Sequence, residues 1–332
     1  MSQSAAPNHI GIDISKDYFD VALTLDSQPY QGRFENNRSG FRTFRKWLKK
    51  RGVKEASICM EATGRYGEEL AQFLYQQGYQ VSLVNPKRIR AYRESQLLRN
   101  KTDEIDARVI EDFCRTQKVR LWQPPAPEVV ALRDMERRLD TLKEMRTMEL
   151  NRLQAGQLTT LVAETIRDHI TFIDVEIAQL EEAMQKHIDG HPGLKKDADI
   201  LTSIQGIGLK TAAVLMGEVK DIHRFEKAKE LSAYLGVSPY VVRSGTSVRS
   251  RGGISKVGNA RLRKALYFPT LTAMRYNPVI KAFSERLLAK GKPKKVVILA
   301  SMRKLIHIIF GVWKSGQPFD PLYEQSRRQT LT

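Results

Sequence analysis

Residues 9–15 read HIGIDIS and residues 18–25 read YFDVALTL, and these two segments decide the fold of the first third of the chain. Both are rich in β-branched and aromatic residues, so both predict strands, and the two-residue link between them predicts an antiparallel hairpin. Asp13 lies in the middle of the first segment, between Ile12 and Ile14. A carboxylate flanked by β-branched residues on a central strand is costly to bury unless it binds something. The hairpin therefore predicts a sheet that carries a functional carboxylate.

Strand and helix patterns alternate beyond the hairpin. We predict a helix at residues 40–50, a buried strand at 56–60, a helix at 68–77, a strand at 79–84 and a helix at 103–116. This alternation is typical of an α/β domain with a mixed sheet.

A proline-rich run, QPPAP at residues 123–127, predicts a linker, and a long helical stretch follows it up to Gly190. Apolar side chains in this stretch alternate spacings of four and three, which predicts a coiled-coil seam: Ile166, Ile170, Ile173, Ile177, Leu180 and Met184. The seam can pair with residues 130–153 of the same chain or with a second chain, and the sequence leaves both open. We expect an α/β domain over residues 1–125, a helical, coiled-coil linker and oligomerisation segment over 126–190, and a mainly α-helical domain over 191–332.

The formal net charge of the 332 residues is +18, which indicates a polyanionic partner, above all nucleic acid. Basic residues concentrate in three runs, at residues 87–101, 243–264 and 281–304, and the second run contains no acid. Three separate runs favour an extended nucleic-acid track over a single basic tail.

Membrane and disulfide-stabilised classes are not expected. The longest apolar stretch, residues 296–309, is interrupted by polar and basic residues and predicts a core helix rather than a span of ~20 apolar residues. The two cysteines form neither a disulfide framework nor a metal motif, which is typical of a reducing cytoplasm.

Four acids stand out by position. Asp13 is mid-strand, Glu61 ends the next buried strand, and Asp103 and Asp106 share one face of a predicted helix. Four carboxylates on one side of a sheet can hold two divalent cations, and hard oxygen ligands select Mg²⁺ or Mn²⁺. Two such ions stabilise the attacking and leaving oxygens of a phosphoryl transfer.

Capping offers a structural alternative for three of these acids, because Asp103 and Asp106 could form a capping box and Glu61 could cap a helix. The rival metal ligands are Asp17, Asp20, Glu104 and Asp112, of which Asp17 lies in a turn and Asp20 at an edge-like strand position.

Residues 201–214, LTSIQGIGLKTAAV, predict two helices joined by a Gly-Ile-Gly turn, a helix-hairpin-helix. Gly206 and Gly208 would let backbone N–H groups approach a phosphate, with Lys210 beside them. An ordinary helical packing unit remains the alternative.

A basic, glycine-flanked loop follows at residues 238–259, and a helix begins near Ala260. Ser244 lies between Arg243 and Gly245, so its hydroxyl is a candidate phosphoryl acceptor. A loop that only binds phosphates is the alternative. We predict that the following residues of the whole chain contact nucleic acid: Lys87, Arg88, Arg90, Gly206, Gly208, Lys210, Arg243, Arg249, Lys256, Arg261 and Arg263.

Together these motifs resemble the DEDD recombinases of the IS110 type of insertion sequence, a family that includes the Piv/MooV DNA invertases. The resemblance runs over nearly the whole chain through these blocks in order: GIDISKDYFDVAL, MEATGRYG, NPKRIRAYRES, KTDEIDARVI, the Gly-Ile-Gly turn and SGTSVRSRGGISKVGNARLRKALY.

The resemblance implies an N-terminal RuvC-like domain of the RNase H fold, with Asp13, Glu61, Asp103 and Asp106 as its metal-binding tetrad. It also implies a C-terminal transposase domain in which Ser244 is the nucleophile, with Ser247 as second choice. The implied partners are donor and target DNA, a structured bridge RNA that pairs with both, and further copies of the chain, as a dimer to tetramer in which the acids of one protomer meet the serine of another. The implied location is the bacterial cytoplasm, at the nucleoid.

Two other functions compete with recombination through a serine-linked intermediate. A RuvC-like nuclease would hydrolyse Holliday junctions with water and would have no use for the serine. A non-enzymatic nucleic-acid-binding protein would need the basic runs but not an acid on a buried strand.

Overall fold

A computed structural model describes residues 8–62, 64–97, 103–240, 243–244, 248–249 and 253–323. The side chains of seven of these lie outside the description: Arg65, Asp103, Tyr240, Arg243, Ser244, Val248 and Arg249. The chain divides into two compact units, residues 1–124 and 125–332. The helical segment expected to stand apart at 126–190 belongs to the second unit, and the division into three domains stays a prediction.

The first unit contains a five-stranded mixed sheet. Its strands are β1 (Asn8–Ile14), β2 (Tyr18–Leu25), β3 (Gln28–Glu35), β4 (Ala56–Glu61) and β5 (Gln80–Val84), in the order β3-β2-β1-β4-β5. Strand β2 is antiparallel to both of its neighbours, β1 and β3, whereas β4 and β5 run parallel to β1. The predicted hairpin and mixed sheet are confirmed. Strand β3 was not predicted, because its sequence QPYQGRFE is mostly polar and buries only Phe34.

The two faces of the sheet bury different helices. On one face the isoleucines of β1 pack with α1 (Arg38–Lys50) and α2 (Glu68–Gln76) around Phe19, Phe41 and Phe44. Gly11 and Asp13 point to the opposite face, because side chains alternate along a strand. That face is covered by α4 (Asp103–Thr116), whose bounds match the prediction.

Helix α3 (Pro86–Ser95) joins β5 to the segment before α4 and was not predicted. Asn85 and Pro86 end the strand, as expected, but they also begin this helix. The Asn85 side chain accepts a hydrogen bond from the N–H of Lys87, and Pro86 occupies the first turn, where its missing N–H costs nothing.

The second unit begins with a hairpin of two long helices, α5 (Pro127–Gln154) and α6 (Thr160–Asp189). The predicted seam of α6 faces inward: Ile173 and Met184 are buried, and Ile177 and Leu180 pack against the same core. Ion pairs such as Arg146–Asp174 join the two helices beside the seam. This packing is within one chain, and pairing with a second chain remains untested.

The remaining helices pack around a common core. They are α7 (Pro192–Thr202), α8 (Leu209–Val219), α9 (Ala228–Tyr234), α10 (Ala260–Ala265), α11 (Tyr267–Tyr276), α12 (Pro278–Ala289) and α13 (Lys294–Ser315). By length and composition α13 could cross a membrane. It buries Met302, Leu305 and Ile309 in this core, however, as expected for a core helix.

Candidate active site and nucleic-acid interface

A row of acids crosses the sheet on the face that α4 covers. Asp13 of β1 is the cross-strand partner of Asp20 in β2. On the other side, Ile12 pairs with Met60 in the parallel ladder, so Asp13 and Glu61 are the next residues along their two strands. Since residues at one level of a pleated sheet point to the same face, Glu61, Asp13 and Asp20 share a side. The structure thus places the two predicted acids, Asp13 and Glu61, at neighbouring positions on adjacent strands.

Gly11 lets α4 lie directly on β1. A Cβ atom at Gly11 would be 2.2 Å from both the Ala107 carbonyl oxygen and the Glu111 nitrogen. Asp106 immediately precedes Ala107, so this backbone contact holds the helix turn that carries Asp106 against the strand that carries Asp13. The start of α4 is also fastened to β3, because the Gln31 side-chain amide donates to the Glu104 carbonyl oxygen at 3.1 Å.

Two acids of this face are neutralised by arginines. Arg93 of α3 forms an ion pair with Asp106, and the two side chains are only 17% and 14% exposed. Arg33 of β3 makes two hydrogen bonds to Asp20, at 2.9 and 3.1 Å. The interpretation of Asp20 as edge-like is wrong, because β2 lies between β3 and β1 and Asp20 is buried. Its carboxylate tolerates burial because the guanidinium pairs with it in bidentate fashion.

The donor set of this face suits a hard divalent cation, since it consists of carboxylate oxygens. Among the described side chains, however, no three acidic, histidine or cysteine groups lie close enough to hold a metal. The side chain of Asp103 is outside the described residues, and Asp106 is paired with Arg93. The chemistry of the donors therefore fits, while the described side chains are not arranged around an ion.

The rival ligands lie elsewhere or have other partners. Asp17 and Glu104 are exposed, and Asp112 accepts a hydrogen bond from the Tyr92 hydroxyl at 2.5 Å and pairs with Arg115. Of the rivals, only Asp20 lies beside Asp13.

A further carboxylate, Glu111 of α4, is buried against the sheet. Burial raises the pKa of its carboxyl, and a hydrogen bond with Thr24 of β2 partly opposes that shift. Glu111 lies one helical turn after Ala107, so it belongs to the packing of α4 rather than to the row of acids.

Helix α3 presents a basic surface. Lys87, Arg88 and Arg90 are exposed, while Ile89 between them is buried and anchors the helix. Arg90 forms an exposed ion pair with Glu94, and the Arg88 guanidinium lies 5.1 Å from the ring centre of Phe113. All three cations remain accessible to a polyanion.

The Gly-Ile-Gly turn connects α7 and α8, as predicted, but its first glycine has a packing role. Gly206 adopts φ +106°, and a Cβ there would lie 2.9 Å from atoms of Ala273 and Pro269. Gly208, at the start of α8, has open space around it. Lys210 forms an ion pair with Glu181 at 2.6 Å. Phosphate binding at this turn stays a prediction, and Gly208 is the glycine that faces space for it.

The serine segment forms short strands where the sequence predicted a loop. The strands β6 (Pro239–Tyr240) and β9 (Gly253–Ile254) pair with each other, and β7 (Arg243–Ser244) and β8 (Val248–Arg249) pair within them. The pairs are nested along the chain, and we call the paired residues, 239–240, 243–244, 248–249 and 253–254, the ribbon. Ser244 is the last paired residue of β7, opposite Val248. Ser247 lies outside the described residues.

The base of the ribbon is fixed by polar contacts. Asn259 donates its backbone N–H to the Tyr234 carbonyl at 2.7 Å and its side-chain amide to Glu218 at 2.8 Å. The Arg263 guanidinium donates to the Leu235 carbonyl at 2.8 Å. Lys256 is exposed and keeps the strand end near α9 through a backbone bond to Gly236. These contacts thus fix the position of the segment that follows the ribbon, residues 255–263, against α9.

Arg261 has its charge satisfied within the unit. Its guanidinium pairs with Glu136 at 2.6 Å and Asp140 at 2.8 Å, and Glu218 lies 3.7 Å away. These pairs connect α10 to α5 and α8. The ion pairs hold Arg261 between α5, α8 and α10, and phosphate binding by it, which would compete with these pairs, stays a prediction.

Sequence reasoning missed the residues that position the acids, chiefly Gly11, Arg93 and Gln31. A glycine inside an apolar strand signals the close approach of another backbone, so Gly11 was detectable. Arg93 was counted within a basic run, and nothing in its neighbouring sequence indicates that it pairs with an acid thirteen residues later.

Two family models match separate parts of the chain. A model described as "Transposase", of the DEDD, IS110 type, covers residues 10–162. A model described as "Transposase IS116/IS110/IS902 family" covers residues 198–285. The first includes all four predicted acids, and the second includes the Gly-Ile-Gly turn and the ribbon.

Similarity to characterised relatives extends over nearly the full chain. The "Pilin gene-inverting protein" of Moraxella bovis is 33% identical, covering 94% of this chain and 97% of the relative. The same values apply to the protein of that name from Moraxella lacunata. The "Transposase for insertion sequence element IS1111A" of Coxiella burnetii is 25% identical over 68% of this chain and 67% of its own length.

Proposed function

We propose a specific reaction for this chain, which belongs to the IS110-type DEDD transposase family of DNA recombinases. In this reaction the protein exchanges DNA strands through a serine-linked intermediate, and a bridge RNA guides it to its DNA sites. The observation that carries this proposal is the row of acids beneath α4. Asp13 and Glu61 are adjacent on parallel strands, and the Gly11 contact holds the Asp106 turn against them. These acids lie on a mixed α/β sheet, which fits the RuvC-like fold that the family implies.

The nucleophile in this proposal is the hydroxyl of Ser244. Its oxygen attacks the scissile phosphorus, so a phosphoserine diester forms as the bond to the departing strand's oxygen breaks. The serine proton passes to solvent, and the departing oxygen takes up a proton as a strand-end hydroxyl. Reversal of the same step by a hydroxyl of the exchanged strand rejoins the DNA. One phosphodiester replaces another at each step, so no external energy source is needed.

The acids Asp13, Glu61, Asp103 and Asp106 would hold Mg²⁺ or Mn²⁺. When bound, such a cation supplies positive charge that stabilises the phosphate and the departing oxygen as negative charge develops. Arg93 would balance the negative charge of Asp106, with which it forms an ion pair. The backbone contact between Gly11 and Ala107 would keep the first turn of α4, which carries Asp106, in place when the cation binds.

The basic residues of both units would bind the phosphates of DNA and RNA. On α3, Lys87, Arg88 and Arg90 offer exposed cations, and the second unit contributes Lys256 and the arginines of the ribbon. Phosphate contacts give affinity without sequence selection, so pairing with the RNA would select the site. The protein would work as a dimer to tetramer at the nucleoid, in the cytoplasm.

The test is the formation of a covalent protein–DNA adduct, trapped by denaturation and detected as slower migration in a gel. Wild type should form the adduct with supercoiled donor and target DNA, the RNA and Mg²⁺. Ser244→Ala should bind both nucleic acids but form no adduct, and Asp13→Ala should lose the adduct while staying folded. The matched controls are Ser255→Ala, in the same basic segment, and Asp17→Ala, in the exposed turn.

The alternatives give different results. Loss in Ser247→Ala with adduct retained in Ser244→Ala would move the nucleophile. Metal-dependent cleavage without adduct in any protein would indicate a hydrolytic nuclease. Full activity of Asp13→Ala would disprove the role of the acids.

A further inference from the structure

A mostly apolar pocket lies at the base of the ribbon in the second unit. It has a volume of about 490 Å³ and is walled by Pro239, Gly253 and Ile254 of the ribbon, Phe283 of α12, and Leu299 and Ala300 of α13. Volumes of about 300 to 1,000 Å³ are typical of sites that hold a small ligand. Among the described side chains, Asp13, Glu61 and Asp106 do not line this pocket, and the function proposed above does not use it.

One side of the pocket is cationic. Arg303, Lys304 and His307 of α13 line it along successive turns. The His307 Nε2 and Arg303 Nε atoms are buried and have no hydrogen-bond partner among the described residues. An orphaned buried donor or acceptor is costly, which favours a ligand that supplies the partner. Burial, assisted by Arg303, lowers the pKa of His307, so the imidazole is neutral at pH 7 and can accept or donate a hydrogen bond.

These features match one nucleotide with an unstacked base. A nucleobase has apolar faces that stack on rings such as Phe283, and a polar edge that can pair with His307 and Arg303. Its phosphate is an anion, which suits the cationic side. An aliphatic ligand would leave the buried nitrogens unpaired, and a compact anion would leave the apolar wall uncovered.

The position of the pocket identifies the source of the base. Pro239 precedes Ser244 by five residues, and a fully extended chain spans at most about 3.6 Å per residue, so their Cα atoms are at most roughly 18 Å apart. That distance corresponds to about five stacked nucleotides. We propose that the pocket takes an unstacked base of the DNA strand that Ser244 attacks, a few nucleotides from the scissile phosphate. This proposal rests on the function proposed above for its choice of strand, although the pocket itself can be tested without cleavage.

The probe is a 12-nucleotide single-stranded DNA with one central 2-aminopurine, whose fluorescence reports stacking, together with the same sequence as RNA. Full-length wild type should change the fluorescence of the DNA. Phe283→Ala should remove that change and weaken binding by roughly fivefold or more, the loss of one stacked base. Ala300→Trp, which fills the pocket, should also remove it. The control is Phe268→Ala, because Phe268 is 75% exposed on α11 and is not part of the pocket.

A second measurement covers the case in which Ala300→Trp does not fold. DNA carrying 5-iodouracil should crosslink on irradiation, and the crosslinked peptide should contain Phe283 or His307. The proposal would be overturned if folded Phe283→Ala gave the same fluorescence change as wild type and crosslinks formed only outside the residues that line the pocket. A response to the RNA alone would overturn the assignment to DNA. Adduct formation by Ser244→Ala would refute the nucleophile yet leave the base-binding result standing.

Discussion

Gly11 illustrates how one missing side chain positions a site. The backbone of α4 occupies the space that a Cβ at Gly11 would need, with atoms of Ala107 and Glu111 at 2.2 Å. Backbone atoms cannot change rotamer to make room, so a larger residue must push the helix from the sheet. The acids at the start of α4 would move with it.

We therefore expect Gly11→Ala to lower the free energy of unfolding by about 1 to 3 kcal/mol, as overpacking usually does, and to abolish recombination. Denaturant unfolding and a recombination assay measure the two effects. Gly156→Ala is the control, because nothing lies within 4 Å of a Cβ at Gly156. A stable and active Gly11→Ala protein would show that α4 is not held by this contact.

Glu111 gives a pH-dependent prediction. Burial raises the pKa of this carboxyl above its usual range, so the folded protein binds its proton more readily than the unfolded chain. Glu111 thus contributes most to the free energy of unfolding at a pH below the pKa of this carboxyl in the unfolded chain. That contribution is lost as the pH rises through the pKa in the folded protein.

Replacing Glu111 by Gln, which resembles the protonated form, should accordingly stabilise the protein at pH 7.5. The gain should shrink as the pH is lowered toward 4.5. Thermal unfolding across this range measures it, with the exposed Glu55→Gln as control. A Glu111→Gln protein less stable than wild type at pH 7.5 would mean that the carboxylate contributes an interaction that its burial does not reveal.

Individual site residues were predictable to different degrees. The carboxylates Asp13 and Glu61 were found because an acid in or at the end of a buried strand needs a physical reason. Arg33 and Arg93 were not, because a basic residue in a charged sequence gives no sign of which acid it will meet. Partner choice depends on the strand register and on helix placement, which are properties of the folded chain.

Among the helices, the α5–α6 hairpin shows which face of a periodic sequence is buried. The neighbouring residues Ile173 and Phe172 are 1% and 61% exposed, so adjacent positions have opposite surroundings. The spacing of the α6 seam indicated the buried face correctly. It did not indicate whether the partner is α5 or another chain.

Ile173→Ala should cost about 2 to 5 kcal/mol of unfolding free energy, because it leaves a cavity in the packed seam. Phe172→Ala should change stability by less than about 0.5 kcal/mol, as is usual at exposed sites. Denaturant unfolding at low protein concentration makes the comparison. If Phe172→Ala costs as much as Ile173→Ala, and the cost grows with protein concentration, the exposed face of α6 is covered in an assembly.

Elements with clear apolar periodicity were predicted nearly to the residue, as for α4. Strand β3 and helix α3 were missed for a similar reason, because each is mostly polar or charged and buries little. The strand presents polar side chains and buries little. It is recognised as a strand by its hydrogen-bonded pairing with β2, which the sequence does not show. The helix buries mainly Ile89, and its remaining residues form a charged surface that periodicity cannot distinguish from a loop. The ribbon was predicted as a loop because strands of two residues have no sequence pattern.

For the molecule as a whole, the central fact is that the acids and the serine belong to different compact units. The acids lie in residues 1–124 and Ser244 lies in residues 125–332. The function proposed above needs both groups, so it requires the acids and the serine to come together either within one chain or between two chains. In the function proposed above, exchange of strands at paired DNA sites would use more than one nucleophile, which favours a symmetric assembly.

Mixing two inactive proteins distinguishes these arrangements. Ser244→Ala keeps its acids and Asp13→Ala keeps its serine, so a site shared between protomers is complete when acids of the first meet the serine of the second. In a random mixture of dimers roughly one site in four has this composition, and adduct formation should return to a corresponding fraction of wild type. If each site is built within one chain, every site in the mixture lacks one group and no adduct forms. The Asp13→Ala/Ser244→Ala double variant, mixed with either single variant, should restore nothing, because none of its combinations supplies both groups. The adduct should be attached only to the Asp13→Ala chain, which a size tag on one protein makes visible, and label on the Ser244→Ala chain would show that another residue is the nucleophile.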